Sequence, residues 1–204
     1  MARGIERSRQ SRSELRSFLI VTNGALTEHS YLSTLRRRMR ESKRLRKSVS
    51  MRIQPIEGDP TTLLRKVAAP KATNSGYDEI WIVVDHDGAD RTEFLRCCAK
   101  KSTKKQKVIG VVSIPCFEVW LVAHYEQIRN YQNQTEAQRH YVQLAGLEQD
   151  KQKSLPDDFP WVGIDAACER SRLKGVKLPD VNAQGPCPST TMPHLISALG
   201  LRST

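Results

Sequence analysis

A run of apolar residues, 80–84, ends abruptly at two aspartates, Asp85 and Asp87, followed by Gly88. A hydrophobic run without polar alternation is typical of a strand buried on both faces of a parallel α/β sheet. Ligands of such sheets bind at the carboxyl ends of the strands, where the aspartates would lie. Because side chains two residues apart in an extended chain point the same way, both carboxylates could bind one Mg²⁺ or Mn²⁺ ion. The alternative interpretation is a polar strand-to-helix turn at Asp87-Gly88, with Asp90 as an N-cap.

The chain around this run alternates strand and helix patterns. Strands are predicted over residues 18–22, 49–56, 80–84 and 108–112, with helices beginning near Thr27, Pro60, Asp90 or Thr92, and Pro115. Strands that alternate with helices imply right-handed crossovers and a mostly parallel sheet flanked by helices. We therefore predict an α/β, Rossmann-like core over residues 16–128.

The rest of the chain has less regular patterns. Residues 1–15 are polar and rich in Arg and Ser, which predicts a flexible basic arm. We interpret residues 129–204 as helical additions packed on the core, with a helix over 164–173 followed by a Pro/Gly-rich tail.

The predicted topology brings several polar residues to one edge of the sheet. The turns after Val21 and Val84 would both lie at the carboxyl ends of their strands. Asn23, Glu28, Asp85 and Asp87 would then face one shallow cleft.

Charge is the main compositional signal, because the 204 residues carry a formal net charge of +11. Clustered basic residues are the usual electrostatic footprint for phosphate backbones, although a solvated helix face is an equally ordinary reading of one cluster. We take the following as candidate nucleic-acid contacts: Arg36, Arg37, Arg38, Arg40, Lys43, Arg44, Lys104 and Lys105. No signal peptide or membrane-spanning pattern is evident, and the five cysteines lack CxxC spacing. We expect a cytoplasmic protein with reduced thiols and no membrane association.

Three further segments carry a family resemblance. Residues 20–31 read IVTNGALTEHSY and resemble the "IVCEGxxTExxYF" opening motif of RloB-like proteins. Residues 114–121 read IPCFEVWL, close to that family's "NPCFExWL" signature, and the segment around Pro188-Ser189-Thr190 resembles its "NPST" motif. The resemblance covers nearly the whole chain. It implies a Toprim-like core, an association with bacterial phage-defence and restriction loci, and often a partner ATPase.

The resemblance also assigns roles to the acidic residues. In Toprim enzymes a glutamate after the first strand acts in acid/base chemistry or metal binding, and the DxD pair holds a divalent cation. Here Asn23 stands where the family has that glutamate, and an amide can neither act as a general base nor offer a charged ligand. Three alternatives follow: the site binds without catalysing, Glu28 supplies the missing carboxylate, or Asp85, Asp87 and Glu118 carry the chemistry without it. Glu28 and Glu118 are equally explained as acidic residues at helix N-termini.

The leading hypothesis is a divalent-metal-dependent nuclease, or nuclease subunit, that uses Glu28, Asp85, Asp87 and Glu118 and acts on DNA or RNA. Mg²⁺ or Mn²⁺ would be held by Asp85, Asp87 and Glu118. The alternative is a catalytically degenerate nucleic-acid-binding or regulatory subunit that acts with a partner ATPase, and homo-oligomerisation is left open.

Overall fold

The computed structural model describes residues 15–23, 26–41, 49–67, 76–148 and 154–202. Most of the predicted basic arm, as well as Lys43 and Arg44, lies outside the described residues. Within the described part, no helix is both long enough and apolar enough to span a bilayer.

Strands and helices alternate through the first two thirds of the chain, as predicted. The elements in chain order are β1 Arg16–Asn23, α1 Thr27–Glu41, β2 Val49–Ile56, α2 Pro60–Val67, β3 Glu79–Asp85, α3 Thr92–Lys101, β4 Lys107–Ile114, α4 Glu118–Tyr125, α5 Gln134–Leu144, α6 Ile164–Arg170, β5 Ser189–Thr190 and α7 Met192–Ala198. A single 3₁₀ turn, Trp161–Gly163, precedes α6.

The five strands form one sheet in the order β2-β1-β3-β4-β5. The first four strands are parallel, and β5 pairs with the end of β4 in the antiparallel direction. This is the mostly parallel, Rossmann-like α/β architecture that the strand–helix alternation predicts.

Both faces of the sheet are buried, which explains why its central strands lack polar alternation. Phe18 and Ile20 of β1 pack with helices α1, α4, α5, α6 and α7 on one face, whereas Leu19 and Val21 pack with α2 and α3 on the other. Gly110 in β4 has no room for a larger side chain, because a Cβ there would lie 2.6 Å from a side-chain carbon of α3. Helix α3 is therefore pressed closely onto the sheet at this point.

An aromatic cluster joins α1 and α4 to the segment before α6. Tyr31 stacks on Trp161 with ring centroids 5.0 Å apart, and its hydroxyl lies 3.1 Å from Nε2 of His124. The other imidazole nitrogen, Nδ1, lies 3.4 Å from the carbonyl oxygen of Pro160. Burial lowers the pKa of His124 to about 4, and the carbonyl of Pro160 opposes that shift. His124 is thus a packed, neutral core residue.

The C-terminal region contributes more regular structure than its Pro/Gly-rich composition suggests. Besides α6, which ends at Arg170 rather than at Leu173, it forms β5 and α7. The Thr190 hydroxyl lies 2.8 Å from that of Ser113, and the Thr191 hydroxyl accepts the N–H of Val112 at 3.0 Å. These threonines fasten the C-terminal region to β4.

Asn182 closes the exposed edge of β4 ahead of β5. Its side-chain oxygen accepts the N–H of Gly110 at 2.7 Å, and its amide nitrogen donates to the carbonyl of Val108 at 3.3 Å. One side chain therefore satisfies the N–H of Gly110, and it shares the carbonyl of Val108 with the Ser102 hydroxyl, which donates to the same oxygen at 3.1 Å.

Candidate functional site

A cleft of about 490 Å³ opens at the carboxyl ends of the parallel strands. It is lined by residues that follow or end β1, β2 and β3, and by the beginnings of α1, α4 and α5. The lining residues are Asn23, Leu26, Thr27, Glu28, Glu57, Asp85, Asp87, Phe117, Glu118, Gln134 and Gln138. All four acidic residues proposed from the sequence lie here, together with Asn23.

The two aspartates reach the cleft in different ways. Asp85 is the last residue of β3, where it pairs with Ser113 of β4. Asp87 has a φ of 51°, in the left-handed region, and lies in a turn with Gly88, whose φ is 73°. The prediction assumed an extended chain from Asp85 to Asp87, and that assumption is wrong. The alternative prediction, a turn at Asp87-Gly88, describes the backbone. Both side chains nevertheless line the same cleft.

Glu28 and Glu118 lie in the first turns of α1 and α4. Both side chains are largely buried, with Glu118 only 3% exposed. Helix N-termini stabilise nearby negative charge because their backbone N–H groups point outward from the helix end. The two helices thus direct their positive ends toward a cleft crowded with carboxylates, which lowers the cost of holding those charges there.

The pKa of Asp85 is affected both by burial and by the neighbouring carboxylates of the cleft. Burial raises its pKa well above the ordinary value, and the negative charges of Glu28, Glu118 and Asp87 raise it further. A hydrogen bond from the backbone N–H of Phe117 acts in the opposite direction. Asp85 keeps part of its surface exposed, but its Oδ1 is enclosed and has no hydrogen-bond partner among the described residues. A buried carboxylate oxygen in this state is costly unless a ligand completes its contacts.

The donor set of the cleft fits a hard divalent cation in kind. Carboxylate oxygens are what Mg²⁺ and Mn²⁺ prefer, and Mg²⁺ is commonly held by one or two carboxylates together with waters and substrate phosphate. In the described part of the chain, no three His, Cys, Asp or Glu side chains are arranged as a ready-made metal cage.

The turn that carries Asp87 is held by two neighbours. The guanidinium Nε of Arg91 donates to the backbone carbonyl of Asp85 at 3.1 Å. The side-chain oxygen of Gln184 accepts the backbone N–H of Arg91 at 2.6 Å, and its amide nitrogen lies 3.5 Å from Nε2 of His86. His86 is not among the residues that line the cleft.

Sequence reasoning missed three polar cleft residues. Glu57 directly follows β2, so the rule that located the other strand ends could have found it. Gln134 and Gln138 lie on α5, and only the packing of α5 beside α4 brings them to the cleft.

The basic candidates that the structure describes do not line the cleft. Arg36, Arg37, Arg38 and Arg40 lie on the later turns of α1, roughly 13–20 Å from its beginning at the cleft, given a rise of about 1.5 Å per residue. Two of them, Arg36 and Arg40, border a separate cavity of about 430 Å³ beside β2. Arg38 lies over the ring of Trp161 at 5.2 Å.

Lys104 and Lys105 lie in the connection just before β4. Since β4 runs from this connection toward the cleft, both lysines are at the opposite edge of the sheet. Their role in nucleic-acid binding stays a prediction, and any such contact would be remote from the carboxylates.

The cysteines show no sign of a redox or metal role. All five are free, and Cys98, Cys116 and Cys168 are buried. Burial raises the pKa of the Cys98 thiol to about 12, which keeps it protonated and unreactive at neutral pH.

The fold and the cleft define an α/β protein with an acidic site at the carboxyl edge of a mostly parallel sheet. The sequence profile of the family described as RloB-like protein matches residues 18–199, and the chain belongs to that family. Neither a curated protein nor a solved structure matches the chain.

Proposed function

We propose that this chain is a Toprim-like, divalent-metal-dependent nuclease, or the nuclease subunit of a bacterial phage-defence system, that hydrolyses phosphodiester bonds in DNA or RNA. The proposal rests on one observation above all. Asp85, Asp87, Glu28 and Glu118 meet at one cleft, and the enclosed Oδ1 of Asp85 has no partner among the described residues.

Asp85, Asp87 and Glu118 are the residues that would hold Mg²⁺ or Mn²⁺. A cation bound there would orient the phosphodiester and stabilise charge on the leaving oxygen. Glu28, which lines the same cleft and whose charge acts on Asp85, would take a proton from the attacking water. The arginines on α1 would contact flanking phosphates, which position a strand without reading its bases.

Calorimetry with Mg²⁺ and Mn²⁺ tests the metal site directly. The variant Asp85→Ala/Asp87→Ala should lose the binding isotherm and any metal-dependent cleavage of single- and double-stranded DNA or RNA. A matched control is Asp157→Ala/Asp180→Ala, which removes two exposed aspartates that do not line the cleft. Equal metal binding by both double variants would contradict the assignment.

The second candidate function is a nucleic-acid-binding or regulatory subunit that acts with a partner ATPase, and Asn23 favours it. Asn23 ends β1 at the cleft, where the family motif has a glutamate, so one carboxylate of the expected set is replaced by a neutral amide.

The variant Asn23→Glu separates the two functions. If the site is a weakened enzyme, Asn23→Glu should increase metal affinity or cleavage rate, because it restores a charged ligand beside Asp85. The conservative variant Asn23→Gln adds length without charge and should change neither. Nucleic-acid binding that is sensitive to salt, with no metal binding or cleavage in any variant, would favour the binding subunit.

A further inference from the structure

Two glutamines, Gln134 and Gln138, form a neutral part of an otherwise acidic cleft. They lie four residues apart on α5, so their side chains share one face of the helix about 5–6 Å apart at Cβ. Both are partly buried, whereas their neighbours Thr135 and Arg139 are exposed. The helix therefore turns this amide pair, and not its charged face, toward the cleft.

Neither amide serves the fold. Among the described residues, the side chains of Gln134 and Gln138 make no hydrogen bond; only the backbone carbonyl of Gln134 is in contact, with the Cys116 thiol. Other glutamines are used structurally: Gln127 donates to the carbonyl of Arg172 at 2.6 Å, and Gln184 holds the turn beside Asp85. The cleft pair thus keeps its full hydrogen-bonding capacity for a ligand.

The chemistry of the pair indicates which part of a nucleotide it would meet. Five carboxylates line the cleft, so a phosphate that arrives without a bound cation would be repelled from it. An amide offers one donor and one acceptor side by side and carries no charge. That pattern matches the edge of a base, and the Gln side chain pairs most favourably with adenine, through N6 and N7.

We infer that Gln134 and Gln138 contact the base of a nucleotide held in this cleft, and that they favour adenine. The inference rests on the proposed function, because it supposes that the cleft receives a nucleic-acid strand. A cleft of about 490 Å³ falls within the range of roughly 300–1,000 Å³ usual for small-molecule sites. The chain would then read one base beside the phosphate that it positions.

The test measures base preference separately from cleavage. Fluorescence anisotropy would follow the binding of labelled ten-nucleotide homopolymers, of A, C and T as DNA and of A, C and U as RNA, in the presence of Ca²⁺. The wild type should bind the A polymer at least about fivefold more tightly than the C polymer, the low end of what one bidentate pair provides. Gln134→Ala/Gln138→Ala should bring that ratio close to one.

The matched control is Gln143→Ala, on the same helix but exposed and outside the cleft, which should keep the wild-type ratio. All variants are compared by thermal unfolding, so that a loss of fold is not mistaken for a loss of preference. No base preference in the wild type, or the same preference in the double variant, would overturn the inference. A wild type that prefers A through these glutamines but shows no metal-dependent cleavage would overturn the nuclease proposal and leave the inference standing.

Discussion

The buried imidazole of His124 should make the stability of this protein strongly dependent on pH. Its pKa is lowered from 6.5 to about 4 in the folded chain, so between these values the unfolded chain binds a proton that the folded chain does not. The contribution of His124 to the free energy of unfolding is therefore fully present above pH 6.5 and is lost as the pH falls toward 4. Each pKa unit by which the folded and unfolded chains differ corresponds to about 1.36 kcal/mol of unfolding free energy. Between pH 7.5 and 4.5 the expected loss is about 2.5 kcal/mol.

Urea unfolding at these two pH values measures the effect. His124→Gln removes the titrating group, so the decrease in free energy of unfolding between pH 7.5 and 4.5 should be about 2.5 kcal/mol smaller than in the wild type. Tyr31→Phe is the control, because it removes the hydroxyl that contacts His124 but leaves the imidazole buried. It should lower stability at both pH values and keep the wild-type difference between them. An equal pH-dependent decrease in the wild type and His124→Gln would refute the reasoning.

Three more predictions concern the sheet and the cleft. Asp85→Asn should raise the Tm by at least about 2–4 °C, the equivalent of 1 kcal/mol in a chain of this size, because it removes a buried charge that faces three other carboxylates. The control Asp157→Asn, at an exposed position, should leave the Tm unchanged. A lower Tm for Asp85→Asn would contradict the inferred repulsion among the four carboxylates. Gly110→Ala should lower the free energy of unfolding in urea by about 1–3 kcal/mol, because the added Cβ would lie 2.6 Å from a side-chain carbon of α3. The control Gly76→Ala should stay within about 0.5 kcal/mol of the wild type, because a Cβ there meets no heavy atom within 4 Å. Asn182→Ala should cost about 1–3 kcal/mol in urea unfolding, since it leaves the N–H of Gly110 without its partner while Ser102 still donates to the carbonyl of Val108; a smaller cost would mean that water replaces the side chain.

The parts of the fold that follow from local patterns could be predicted from the sequence. The central strands are buried on both faces, so their apolar runs identify them, and the bounds of β2, Val49–Ile56, agree with the prediction. Strand β5 could not be found in this way, because its two residues become a strand only by pairing with Ser113 and Ile114, far away in the chain.

The same distinction holds for the cleft. Glu28, Asp85, Asp87 and Glu118 follow strands or begin helices, and the topology of a parallel sheet then brings them to one edge. The left-handed backbone of Asp87 and the approach of α5 depend on tertiary packing. No local pattern around Gln134 or Gln138 distinguishes a helix face that lines a cleft from one that meets solvent.

The bond between Gln184 and Arg91 also has a consequence for how the protein is made. The two residues are separated by 93 positions, so a ribosome that adds about 5–20 residues per second needs roughly 5–20 s to reach the glutamine after the arginine. During that interval the nascent chain already carries Asp85 and Asp87, but Gln184, one of the residues that hold their turn, has not been synthesised. The turn therefore gains its last contacts only near the end of synthesis, and a translation product that ends before Gln184 would carry the aspartates without them.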